Sequence, residues 1–179
     1  LVHLAGPSPL SGPRPLPLGG PVHYYFYSYP WRGHTLTLGA RQTIPGGGLL
    51  GLYSSLNVVN NGTITANNAV PLQIAGNGGT FTNNGILQAT GGGQLQLANS
   101  LNVVGGTLAT AGGELHSLSS ILTNVSNNGS LILDDGSTTI LVGHLTTNGH
   151  RASPTPNFCT HLYLTDHHTP AAPAPPPHA

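Results

Sequence analysis

Acid–base chemistry at a protein surface needs carboxylates or bases within reach of one substrate. Between residues 47 and 150 the sequence offers three acids, Glu114 in AGGELHS and Asp134-Asp135 in LILDDGSTT. A DDG triplet is the sequence of a tight turn with glycine at its left-handed position, so it reads as a turn before it reads as a catalytic pair. Histidine is more plentiful, with ten in the chain, and His144, His150, Cys159, His161, Asp166, His167 and His168 gather toward the C-terminus. A structural zinc site uses two ligand pairs at short fixed spacing on ordered backbone, whereas these residues are interleaved with prolines. Adventitious binding by a His-rich tail is the simpler reading. Thr63-x-Thr65 and Thr80-x-Thr82 could begin the flat threonine array of an ice-binding face. The matching places in later repeats are Ile86/Gln88, Thr107/Ala109 and Ser130/Ile132, so the array breaks, and the β-propensity of threonine accounts for the pairs. There is no Ser-His-Asp arrangement, no phosphate loop and no HExxH, and the GGG runs at 46–48 and 91–93 read as corners. The expectation is a chain that is not an enzyme, with no catalytic, cofactor or metal site assigned.

Composition narrows the partners. Charged residues make up 4% of the chain, the four basic ones are arginines, and the formal net charge is zero. Four scattered arginines cannot supply the clustered positive charge that drives phosphate binding, so nucleic acid is not expected. Cys159 is the only cysteine, which rules out an intrachain disulfide. No run of 18 apolar residues is present, so no helix of this sequence is expected to span a membrane. The opening residues LVHLAGPSPL lack a basic n-region and a proline-free apolar run, which suits a segment whose export signal lies elsewhere. N-x-[ST] sequons at Asn61, Asn124 and Asn128 follow from the abundance of Asn, Ser and Thr.

The elements that must hold these residues show as a repeat. Asn60-Asn61-Gly62, Asn83-Asn84-Gly85, Gly105-Gly106, Asn127-Asn128-Gly129 and Asn148-Gly149 set turn glycines 23, 21, 23 and 20 residues apart. Two and four residues after each of the first four come Ile64/Ala66, Leu87/Ala89, Leu108/Thr110 and Leu131/Leu133, an inward pair with the period of a strand. GGLLGLYSSLNVV at 47–59 matches GGQLQLANSLNVV at 92–104 at nine of thirteen positions, an offset of 45 residues that equals two coils. Short strands with such spacing cannot bury an apolar side alone, but stacked coils can, with Leu and Ile in internal columns. Glycine then supplies φ > 0 at corners, and each Asn amide can bond its equivalent one coil away. Three strands per coil fit. An antiparallel meander with Asn-Gly hairpins is the rival, but its turns would recur about every 8–12 residues.

Residues 1–46 form a Pro/aromatic-rich head and 151–179 a Pro/His-rich tail, both expected to be extended or disordered and flanking the repeats of 47–150. The aromatic cluster Tyr24-Tyr25-Phe26-Tyr27, Tyr29 and Trp31 is expected to cover the open end of the first coil. The stretches NNGTITANNAVPLQIAGNGGTFTNNGILQATGGGQLQLA and VSNNGSLILDDGSTTILVGHLTTNG resemble the repeat region of filamentous-haemagglutinin-like and autotransporter adhesins. That resemblance covers about residues 47–149 and implies an all-β, right-handed parallel β-helix of about 4–5 coils. It further implies a structural shaft or adhesin segment, secreted or displayed on a bacterial cell surface. Its partners would be a host or cell-surface glycan or protein, with self-association through open coil ends. Two alternatives stand beside it: a fragment of a polysaccharide-active β-helix enzyme, which acids or bases on one outer face would support, and flanks translated from a shifted reading frame.

Overall fold

In the computed structural model the described residues are 2–4, 8–10, 15–17, 25–28, 34–51, 55–147, 151–152 and 160–165. They form a parallel β-solenoid of about five turns, with no helix among them. Each turn contributes a strand to three faces in succession. Thr35–Leu38, Asn57–Asn60 and Phe81–Asn83 stack on the first face. Thr43–Gly46, Thr63–Ala66, Ile86–Thr90 and Thr107–Ala111 stack on the second. Gly48–Leu50 and Leu72–Ala75 stack on the third. Gln94–Val104 and Glu114–Asn127 are long strands that bend round corners and serve two and three faces respectively. Among the described residues all ladder pairings are parallel and the one antiparallel bridge, Thr90 to Gly112, is isolated, which disposes of the hairpin meander.

Period-two alternation within each strand, repeated coil after coil, builds internal columns. Leu36, Val58, Phe81, Val103, Leu122 and Leu141 line the first face, all buried and in register. Ile44, Ile64, Leu87 and Leu108 line the second, and Leu72, Leu95, Leu115 and Leu131 the third. Fully burying one such side chain contributes roughly 1.5–3 kcal/mol, so the columns are the main term opposing chain entropy.

The amide ladder expected at the Asn-Asn-Gly corners is present and double. Inside, Asn60 Nδ2 donates to Asn83 Oδ1 at 2.7 Å with both residues fully buried, while outside Asn84 Nδ2 donates to Asn61 Oδ1 at 2.9 Å. The glycine of this turn has a different reason from the one expected. Gly62 and Gly85 are absent from the positive-φ residues. Their constraint is space: a Cβ on Gly85 would stand 2.0 Å from the Gly62 carbonyl oxygen, and one on Gly62 would stand 2.1 Å from that of Gln42. Positive φ belongs to other corners, Gly91, Gly92, Gly105, Gly106 and Gly136 among them, the last in the DDG turn as expected.

The register departs from the sequence repeat in the fourth coil. Asn127, not Leu131, stacks beneath Leu108, and Leu131 and Leu133 pair with Leu115 and Ser117 on the third face. The third Asn-Asn-Gly therefore turns one corner later than the first two. Two short corners cause this: Gly112-Gly113 stand where the coil above has Gly91, Gly92 and Gly93, and the left-handed Ser119 stands alone where it has Asn99 and Ser100. The place matching Thr63 in that coil is accordingly Ser126, and Ser130 lies elsewhere. The 45-residue match is also only half in register: Val58 reaches Val103 through Phe81, but Leu50 reaches Leu97 through Ile74, 47 positions on.

The stack takes in strands on both sides of the compositional breaks. Thr35–Leu38 and Thr43–Gly46 are rungs of it, Ser8–Leu10 pairs with Thr35–Leu38, Tyr25–Ser28 with Gly48–Leu50, Val2–Leu4 with Tyr25–Ser28, and His161–Leu164 with Thr138–Thr147. Tyr25–Ser28 is thus a strand of the third face; Tyr24, Tyr29 and Trp31 lie outside the described residues.

Two glycine substitutions separate space from dihedral. Gly91, at φ +58° with open space around its missing Cβ, should cost about 1 kcal/mol when replaced by Ala. Gly85→Ala must displace the coil above and should cost roughly 3 kcal/mol. Urea unfolding followed by circular dichroism measures both, and equal losses would show that both glycines answer to φ.

Candidate functional site

The outward side of the third face holds the densest polar chemistry among the described residues. Alternation that buries Leu95, Leu97 and Leu115 turns Gln94, Gln96, Glu114 and His116 outward, and stacking sets Gln94 against Glu114 and Gln96 against His116. The ladder then brings Asp134 beside them, because the Asp134 amide continues the pairing from Leu133 by donating to the Ser117 carbonyl at 3.2 Å. His116 Nδ1 lies 2.6 Å from Asp134 Oδ1, and Nε2 lies 3.2 Å from Glu114 Oε2 and 2.9 Å from Gln94 Nε2. Gln96 Nε2 donates to Gln94 Oε1 at 2.6 Å along the strand, and from Gln94 the string passes coil to coil through His116 to Asp134.

The ring with its proton on Nδ1 donates to Asp134 and accepts from the Gln94 amide at Nε2, whereas a proton on Nε2 would donate to Glu114 but stand against the Gln94 N–H donor. The His116 side chain is 13% exposed and Glu114 is 63% exposed, so the Asp134 contact is the sheltered one.

Composition alone would make Asp134, His116 and the adjacent Ser117 a nucleophilic triad. Alternation forbids it. Ser117 points into the core, where its hydroxyl bonds those of Ser120 at 2.7 Å and Thr139 at 2.6 Å, on the opposite side of the sheet from the imidazole. The two carboxylates sit at opposite ring nitrogens and cannot meet on one ion, and no three of His, Cys, Asp and Glu converge as a metal site among the described residues.

Other candidates are dispersed. Asp135 and Gly136 form the tip of the DDG turn. His144 sits at a corner, its backbone amide donating to Asn124 Oδ1 at 3.0 Å, and His161 stacks on Tyr163 with ring centroids 5.9 Å apart. His150, Cys159, Asp166, His167 and His168 lie outside the described residues. Thr63 and Thr65 are on the second face and Thr82 on the first, and Ile86 interrupts the column that starts at Thr43 and Thr63. Asn61 is held in the outer amide ladder.

His116 is the residue that sequence reasoning passed over. Its signal was the E-x-H spacing in phase with the outward glutamines of QLQLA, but its partner Asp134 depends on the shortened fourth coil. No protein-family model, curated protein or solved structure matches this chain.

Unfolding should separate the two carboxylate contacts. Glu114→Gln is expected to change stability by less than about 0.5 kcal/mol because that contact is solvated. A double-mutant cycle of His116→Ala and Asp134→Ala should give a coupling of about 1 kcal/mol; strictly additive losses would mean the 2.6 Å contact contributes nothing.

Proposed function

We propose that this chain is a non-enzymatic structural segment, a β-solenoid shaft that extends and displays adhesive regions of a secreted or surface-exposed bacterial protein. The observation that carries the reading is the first-face column, apolar and in register from Leu36 to Leu141 through the described coils. Leu162 and Leu164 prolong the columns of Thr139 and Leu141, and as the lowest of the described rungs they present an apolar edge that a further coil fits. A repeating unit whose pairing surface is renewed at each turn builds length at little cost in sequence information. The charge-poor exterior, with its Asn and Gln side chains bonded from coil to coil, suits a rod that works outside the cell. Its partners on this reading are host or cell-surface glycans or proteins, and other copies of itself through open coil ends.

A second reading has one observation in its favour: Glu114, His116 and Asp134 do share one outer face, the arrangement a polysaccharide-active solenoid would use. Against it, the imidazole stands between the carboxylates and each of them is engaged with it.

Incubation of the purified chain with acidic and neutral polysaccharides distinguishes the two. The shaft reading expects no chain shortening by size-exclusion chromatography, together with a protease-resistant β-rich core spanning about residues 34–147. Glycan cleavage that Asp134→Ala abolishes would overturn it.

A further inference from the structure

We propose that the outer side of the first face, where it meets the corner at Ser100 and Ser119, binds a neutral glycan with flat pyranose rings. On the shaft reading, on which this inference rests, the rod then holds a glycan along its own side as well as carrying other adhesive regions.

Two outward columns run side by side here. Ser100 stands above Ser119, because the next residues, Leu101 and Ser120, are paired, and Thr138 stands below, its amide donating to the Ser119 hydroxyl at 3.2 Å. Beside them the register stacks Asn102, Ile121 and Ile140. The two columns border a cleft of about 270 Å³ lined by Ser100, Ser119, Ile121, Thr138 and Ile140, together with Ser120, whose hydroxyl is taken up inside by Ser117. That volume lies near the small end of ligand pockets and suits a single sugar ring. One rung lower His161 pairs with Thr138 and Tyr163 with Ile140, so their side chains continue the two columns. Both are exposed, and their rings stack with centroids 5.9 Å apart and 18° between planes.

The lining selects the ligand. No charged side chain borders this cleft, and Asp134 and Asp135 line a different one on the other side of Ser119, so an ion gains nothing here. The backbones of Gln94–Val104, Glu114–Asn127 and Thr138–Thr147 pair with one another, so a peptide strand laid on this face would find no ladder bonds. What remains is a row of hydroxyls beside a row of aliphatic side chains that ends in two stacked rings. A pyranose matches both rows, with hydroxyls round its edge and C–H groups on its faces. The corner itself points the same way. Ser100 at φ +55° and Ser119 at φ +74° hold the left-handed conformation that Gly91, Gly105 and Gly143 supply at other corners, where a side chain is disfavoured. Ser119 offsets this by accepting from the Thr138 amide, whereas the exposed Ser100 hydroxyl is bonded to no described residue. A hydroxyl kept at a backbone position that glycine fits better has a use beyond turning the chain.

The test is calorimetric titration of cellohexaose, a neutral chain of flat pyranoses, into the full chain, with hexagalacturonate as its charged counterpart. Saturable cellohexaose binding is expected, at least about tenfold tighter than that of hexagalacturonate. Tyr163→Ala removes the stacking ring and should weaken binding about tenfold. Ser100→Gly suits the positive φ, so the fold stays intact by circular dichroism while binding weakens about threefold or more. Thr146→Ala, exposed on the second face, should leave the affinity unchanged. Absence of saturable binding, equal affinity for the two glycans, or full affinity in Tyr163→Ala or Ser100→Gly would overturn the glycan site; with the protease-resistant core intact, the shaft reading would stand without it. Cleavage of cellohexaose would overturn the shaft reading and this inference together.

Discussion

Parallel pairing between successive coils governs everything else in this molecule. Each strand takes its backbone partners from the equivalent strand one coil away, and side chains alternate with a period of two, so a coil is acceptable only if it returns an inward residue beneath an inward residue on all three faces. A slip of one residue on any face would expose a column and bury its polar neighbours. The corners absorb differences in coil length, as when Leu50 to Leu97 takes two positions more than Val58 to Val103 over two coils.

Close stacking also decides what can stand at a corner. At Gly62 and Gly85 the backbone of one coil runs against the carbonyl of the next, leaving no room for a Cβ. The preceding asparagines exploit the same proximity, one amide bonding inward and one outward to its counterpart a coil away. Buried amides need partners, and the repeat provides them by placing an identical group in the next coil.

Polar chemistry gathers where the repeat is least regular. In the fourth and fifth coils the inner columns receive Ser117, Ser120, Asn127 and Thr139 in place of aliphatic residues, and the hydroxyls satisfy one another. The same coils carry His116 with its two carboxylates, the left-handed Ser119 and Asn124, and the DDG turn with its cleft. A shortened corner changes which residues face each other, and at this level of the stack it draws Asp134 to His116.

Architecture was readable from sequence because it rests on local, repeated signals: apolar residues in alternation, turn residues at intervals near one coil, and asparagines able to ladder. Those determined a parallel solenoid, its three strands per coil, most of its inward residues and the Gly136 turn. They could not determine the register of the fourth coil, because Leu131 and Leu133 follow their glycine just as Leu87 and Ala89 do, and only the count of residues round two corners tells that they belong to another face. At Gly91, Gly92, Gly105 and Gly106 the expected positive φ is found, but at the Asn-Asn-Gly corners the role of glycine was misplaced, since a steric limit set by the neighbouring coil leaves no mark on the residue's own neighbours in sequence. The polar site was likewise a tertiary decision: Glu114, His116 and Asp134 are ordinary residues along the chain, and they meet because coil length, which is a sum over corners, sets which outward side chains stand one above another.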